Sequence, residues 1–210
     1  RIEDVEELLQ VPVLGVIPFF EGDVIDKGKN KHREPERTRT RDLVTHYKPG
    51  SMGSEAFRAL RTNLQFLRLE TKGKVFLITS AFVQEGKTVN AINLALIMAQ
   101  AGNKVLLVDA DLRKPRIHRM IKAKNITGLT SVVLGERNAS EVVHHVSNVK
   151  NLEVITSGPL PPNPPELFGK HSFKALLEEA GGVNFGFAAG GLAVVMSNTP
   201  IEELQDIKAR

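Results

Sequence analysis

The stretch from Lys74 to Pro115, KVFLITSAFVQEGKTVNAINLALIMAQAGNKVLLVDADLRKP, decides the fold. Two apolar runs, Val75–Thr79 and Val105–Val108, bracket a glycine turn and an amphipathic helical pattern over Val89–Gln100. That order is a βαβ unit of about the shortest length that carries a parallel crossover. The turn, Ala81-Phe82-Val83-Gln84-Glu85-Gly86-Lys87-Thr88, follows the phosphate-binding pattern G-x-x-x-x-G-K-[ST], with Ala81 in place of the first glycine. Backbone N–H groups at the start of a helix point at an anion and carry the positive end of its dipole. Gly86 lets the backbone approach a phosphate without a Cβ in the way. Lys87 reaches terminal phosphates, and the Thr88 hydroxyl is the hard oxygen ligand that Mg²⁺ requires. The cradle so read comprises Ala81, Gln84, Glu85, Gly86, Lys87, Thr88 and Val89.

The second apolar run ends in Asp109-Ala110-Asp111-Leu112-Arg113. In a parallel sheet the C-terminal ends of the strands face the ligand crevice. Asp109 and Asp111, two residues apart, then share a side near the phosphates. Two carboxylates beside a phosphate loop repel a nucleotide unless a metal lies between them, so the pair favours an Mg·ATP site. The expected metal ligands are Thr88, Asp109 and Asp111. The expected catalytic groups are Lys87, Asp109, Asp111 and Arg113, with Asp109 holding the metal or taking a proton and Arg113 orienting the carboxylates. The fold expected around them is α/β, a three-layer sandwich with a mostly parallel sheet, of P-loop NTPase type.

Composition narrows the class. The chain has 210 residues, 41% apolar, which suits one buried core with a short appendage. It has no cysteine, which excludes a disulfide framework and a thiolate metal site. No run is long enough to span a bilayer, and no signal-peptide pattern is present. The net charge of +4 is too mild to argue for nucleic acid without a focused patch. The chain starts at Arg1 rather than at methionine and is read as a fragment.

Outward from the core unit, three regions are expected: a membrane-proximal segment (1–20), a basic flexible linker (21–53) and a P-loop domain (54–210). IEDVEELL at 2–9 reads as an acidic helix, and VPVLGVIP at 11–18 as a short apolar strand closed by Pro18. Between Lys27 and Lys48, eight Lys or Arg stand against three acidic residues, a composition that favours a solvated, disordered tether. The sharper reading of that segment is contact with anionic lipid. Ser54 is placed to cap the next helix, whose Phe57, Leu60, Leu64 and Leu67 fall in a core-facing stripe. Gly102 suits a left-handed helix stop. Arg116–Lys122 and Gly128–Gly135 read as short helices, Ser140–Val143 as a turn, Asn151–Thr156 as a strand, and Phe173–Glu179 as a helix. His118 reads as a surface residue. His144 and His145 are adjacent, point apart and make a poor metal pair. The proline-stiffened loop Ser157–Leu167 leaves a strand end and either borders the nucleotide or is a rigid surface loop.

The phosphate loop, VLLVDADLRKP, SGPLPPNPPEL, SEAFRALRTNLQF and EDVEELLQVPVLGVIP occur in an order that resembles the bacterial tyrosine kinase family. The resemblance covers most of residues 1–180. It implies an ATP- and Mg²⁺-dependent protein-tyrosine autokinase domain regulating capsule and exopolysaccharide polymerisation and export. It implies residence at the cytoplasmic face of the bacterial inner membrane, behind a membrane-embedded activator or a fused membrane domain. Glu55, Arg58 and Arg61 match the E-x-x-R-x-x-R motif by which the family joins subunits into a ring. From the residues alone they also read as a solvated face of i,i+3 pairs. The implied partners are further copies of the chain and polysaccharide polymerase and export proteins, with no nucleic acid.

Three departures stand beside the resemblance. The family continues with an apolar strand of the form φφφDTPP whose aspartate helps hold Mg²⁺. Residues 181–210 instead read GGVNFGFAAGGLAVVMSNTPIEELQDIKAR. One alignment places Asn198 on that aspartate. The preferred one makes LAVVMSNTP the family's following strand, so that the Asp-bearing strand is missing and the seam falls in the Gly-rich patch 181–191. The family's acceptor tyrosines lie in a C-terminal tail, whereas the one tyrosine here is Tyr47 in the basic segment. Gln84 stands where the family usually has glycine. The first two departures support a rival reading, a catalytically impaired nucleotide-binding assembly module of the same machinery. A partitioning-type ATPase is a second rival, weakened because Phe82 replaces the early lysine of KGGxGKT. A nucleic-acid binder is weaker still, since the basic segment is poor in aromatic platforms.

Overall fold

The structure, a computed structural model, describes residues 2–19, 43–71, 75–82, 84–168 and 192–197. The chain forms two compact units, Arg1–Lys72 and Gly73–Arg210. The sequence pattern groups residues 54–210; the packing places the helix that starts at Met52 in the first unit.

The first unit holds helices α1 (Ile2–Leu9), α2 (Val44–Tyr47) and α3 (Met52–Thr71). The expected strand at 11–18 does not form; the segment is irregular and lies along α3. Its polar backbone is satisfied by side chains instead of a sheet. The Val13 N–H donates to Glu6 Oε1 at 2.7 Å, and the Leu14 carbonyl accepts from Asn63 Nδ2 at 2.7 Å. Gly15 packs against Leu60, so an apolar run found its cover on a helix. Residues 20–42 of the expected linker lie outside the described residues. Its last part, 43–53, is structured: Leu43, Val44 and Thr45 are buried and α2 packs on α3. The cap of α3 is Ser51 rather than Ser54. Ser51 Oγ accepts the Ser54 N–H at 3.2 Å, while the buried Ser54 hydroxyl donates to the carbonyls of Lys48 and Val44. Phe57 and Leu64 are buried as the stripe predicts, and Leu60 is half-buried.

The second unit is built on a five-stranded sheet: β1 (Val75–Ile78), β2 (Val105–Ala110), β3 (Val143–His145), β4 (Leu152–Ile155) and β5 (Leu192–Ser197). The spatial order is β1-β5-β2-β4-β3. Its described helices are α4 (Lys87–Gln100), α5 (Ile117–Met120), α6 (Leu129–Val133) and α7 (Pro164–Phe168), with a 3₁₀ turn at Ala139–Glu141. The turn expected at Ser140–Val143 thus runs straight into β3. β2 and β4 pair in parallel, and β1 points the same way. β3 and β5 run against them, which makes the sheet mixed.

Both faces of the sheet are covered. Leu106, Val108 and Ala110, alternate residues of β2, join Leu129, Val132, Val133, Val142, Ile155 and Leu167 in one cluster. Leu107 points the other way and is fully buried, and α4 packs on β1, β5, β2 and β4. Ala91 to Ala99 are buried without a break, so α4 is more enclosed than an amphipathic helix. It stops where expected. Gly102 takes φ +90, its N–H bonding Ala99 O at 3.0 Å and the Asn103 N–H bonding Met98 O at 3.2 Å. That pair of bonds is a Schellman stop.

β5 occupies the slot between β1 and β2. In a parallel arrangement the missing Asp-bearing strand would end at the crevice. β5 instead begins there, with Ala193 opposite both Ile78 and Asp109, and ends opposite Val105 at the far edge. The slot is filled because β1 and β2 would otherwise expose unpaired backbone groups in the middle of a sheet. Asn198, the Gly-rich patch 181–191 and the helix expected at Phe173–Glu179 lie outside the described residues.

Candidate nucleotide site

The phosphate loop connects β1 to α4, and its shape follows from two left-handed residues. Gly86 takes φ +86 and is the N-cap of α4; Gln84 takes φ +66. The left-handed region costs an L-residue about 1–2 kcal/mol, which explains a glycine preference at position 84. Side chains brace the first half of the loop. Ser80 Oγ donates to the Phe82 carbonyl at 2.9 Å, and the Phe82 N–H donates to Glu85 Oε2 at 3.0 Å. The far half is left for an anion: the N-terminus of α4 has no side-chain cap and no acidic residue in its first turn. Uncapped amides at the positive end of a helix dipole suit a phosphate group.

Lys87 and Asp111 meet in the structure. Lys87 Nζ stands 3.2 Å from Asp111 Oδ2, both side chains largely buried. Asp111 Oδ1 accepts the N–H groups of Lys114 at 2.9 Å and Arg113 at 3.3 Å, which fixes the carboxylate from behind. Arg113 therefore meets the pair through its backbone, and its side chain is exposed.

Asp109 is set differently. It is 1% exposed. Its Oδ1 accepts the Asp111 N–H at 3.3 Å and its Oδ2 the Ile117 N–H at 3.0 Å. Burial pushes its carboxyl up to about 7, against the opposing pull of these hydrogen bonds. Asp109 closes the loop that presents Asp111, and both of its oxygens already carry donors. Thr88 is half-buried in the first turn of α4. Thr88 and Asp111 offer the hard oxygens that Mg²⁺ takes. Among the described residues no cluster of three acidic or histidine side chains could hold a metal ion.

One structural feature beside the site was not visible in the sequence. Asn125 receives the Gly158 N–H on Oδ1 at 2.9 Å and donates through Nδ2 to the Gly158 carbonyl at 2.9 Å. Gly128 and Gly158 cross so tightly that a Cβ on Gly128 would stand 2.2 Å from the Thr156 carbonyl. The crossing pins the start of the proline loop at the C-terminal end of β4. Only a repeated glycine could have hinted at it, because the partners lie 33 residues apart. The histidines singled out in the sequence stay outside the site. His118 and His144 are half-buried, and burial holds both below the ordinary imidazole range. His145 stands 3.9 Å from Glu153 at the surface. In the first unit, Arg58 pairs with Glu55 and donates to the Pro49 carbonyl at 2.7 Å, while Arg61 is half-buried.

Known proteins resemble this chain. The AAA domain family matches residues 83–179. The tyrosine-protein kinase YwqD of Bacillus subtilis is 46% identical over 140 residues, covering 67% of this chain and 59% of that protein. The putative tyrosine-protein kinase CapB of Staphylococcus aureus is 39% identical over 137 residues, covering 65% and 60%. The chain thus spans about three fifths of the length of these relatives. Among solved structures, the kinase domain of Escherichia coli tyrosine kinase ETK superposes with a TM-score of 0.71 at 32% identity. The match covers 85% of this chain and 67% of that one. With a phosphate-loop pattern between β1 and α4, these likenesses show that the chain belongs to the bacterial tyrosine kinase family.

Proposed function

We propose that this chain is the kinase unit of a capsule or exopolysaccharide regulator, moving the γ-phosphoryl group of ATP to a tyrosine hydroxyl. The observation that carries this reading is the Lys87–Asp111 pair at 3.2 Å beside an uncapped helix N-terminus. Phosphoryl transfer asks a protein mainly for positioning and charge stabilisation. The first-turn amides of α4 cradle the phosphates, and Lys87 leaves Asp111 to meet them. Thr88 and Asp111 are the groups that would hold Mg²⁺, which neutralises phosphate charge when bound. Asp109, buried beneath, keeps Asp111 in place through the loop it closes, and Arg113 adds a cation at the exposed rim.

A second reading is favoured by β5. Its reversed direction puts Ala193, and no carboxylate from that strand, beside Asp109 at the crevice. A site lacking that acid binds nucleotide and transfers phosphate slowly, which makes the chain an assembly module of the same machinery. Around either reading we place Glu55, Arg58 and Arg61 at a contact between copies in a ring. The basic linker 21–53 is the candidate for contact with anionic lipid at the cytoplasmic face of the inner membrane. A membrane-embedded activator or fused membrane domain and polysaccharide export proteins are the further partners.

Calorimetric titration with Mg·ADP, beside Lys87→Met, tests the site. Binding in the parent chain, weakened on the order of 100-fold in the variant by loss of a charge-assisted contact, supports it. Equal binding in both removes the P-loop from the account. The rate of transfer to an added glutamate-tyrosine copolymer then separates the two readings, since the first expects rapid turnover and the second only slow transfer.

A further inference from the structure

A tyrosine kinase needs a phenol that reaches solvent, and Tyr47 is the single tyrosine of this sequence. It ends α2, a short helix held firmly from below. Leu43, Val44 and Thr45 are buried, and the Ser54 hydroxyl donates to Val44 O at 3.2 Å and to Lys48 O at 2.7 Å. Tyr47 itself is 47% exposed, its ring edge-on to His46 with centroids 4.8 Å apart. The base of the segment is therefore fixed while the aromatic residue is presented outward.

The surroundings suit a phosphorylated product. Lys48 follows directly in the chain. Arg58 is anchored to the residue after it, its guanidinium donating to the Pro49 carbonyl at 2.7 Å and pairing with Glu55. A phosphotyrosine carries close to two negative charges and is stabilised by such cations through charge-assisted hydrogen bonds.

We infer that Tyr47 is a phosphoacceptor site of this chain, an inference that rests on the kinase reading above. In the step, the Tyr47 phenolic oxygen forms a bond to the γ-phosphorus of ATP. The bond from that phosphorus to the β,γ-bridging oxygen breaks, ADP leaves, and the phenolic proton passes to water.

The test incubates the purified chain with Mg·ATP, alone and with the glutamate-tyrosine copolymer, and reads Tyr47 by tandem mass spectrometry. The expected result is the mass of one phosphoryl group on Tyr47, absent in Lys87→Met. Tyr47→Phe is expected to lose its own phosphotyrosine and still label the copolymer. Labelled copolymer with unmodified Tyr47 overturns the inference and leaves the kinase reading intact. Bound Mg·ADP with neither copolymer nor Tyr47 labelled overturns both.

Discussion

The stretch from β1 to β2 and the strand that separates them were built by different rules. Residues 75–115 form their strand, loop, helix and strand from neighbours in sequence, and the Lys87–Asp111 pair closes within that unit. β5 arrives from far along the chain and inserts between the same two strands, antiparallel to both. The first region holds the candidate site through local pattern. The second supplies the backbone partners without which the first has an open sheet. The contrast shows a phosphate-loop pattern standing beside a strand whose direction the family pattern does not anticipate.

The sharpest way to break the contrast is Val195→Pro. Val195 pairs with Phe76 on one side and Leu107 on the other. A proline in a central strand removes a ladder hydrogen bond that nothing nearby replaces, so the second unit is expected to lose most of its stability. Chemical denaturation should show the second unit melting early, and nucleotide binding should fall with it. Retained binding would mean that the β1–α4–β2 unit stands without β5.

A smaller effect separates the two aspartates at the end of β2. Burial raises the Asp109 carboxyl from 3.8 to about 7, so the folded state keeps a proton that the unfolded chain has released. Stability is then unpenalised below pH 3.8 and falls as pH rises toward 7. The whole effect is at most about 4 kcal/mol, since each tenfold change in proton affinity between the two states is worth roughly 1.4 kcal/mol. Subtracting denaturation curves of Asp109→Asn from those of the parent isolates this slope, because the amide cannot titrate. A parent and variant with parallel pH profiles would place Asp109 in a wetter setting than its burial implies.

The smallest effect is local to the loop. Gln84 holds φ +66 without the freedom of glycine. Gln84→Gly removes a left-handed penalty and adds backbone entropy to the unfolded chain, for a net gain of a few tenths to about 1 kcal/mol. The midpoint of thermal unfolding should rise slightly with nucleotide affinity preserved. A fall would show that the Gln84 side chain braces the loop.

Much of the candidate site's local geometry was legible because its signals are short-range. Gly86, Lys87 and Thr88 between an apolar strand and a helix specify their own geometry, and Gly102 specifies its stop. The errors have physical sources too. VPVLGVIP has a strand's composition, but α3 offered burial and Glu6 and Asn63 satisfied its backbone. Leu43, Val44 and Thr45 sit at the edge of a basic run, and composition averaged over that run hid the apolar anchor they form. Ser51 and Ser54 both fit a cap, and only the position of the Lys48 and Val44 carbonyls assigned each its part.

By itself the sequence determined the phosphate loop, the enclosing βαβ order and the family, because each is written in short local motifs or in their order along the chain. Tertiary structure decided the direction of β5, the pinning of the proline loop by Asn125 and the division of labour between Asp109 and Asp111. Those outcomes depend on which backbone groups lack partners once the sheet assembles, and on how deeply a carboxylate is buried. Neither quantity exists until distant segments have met.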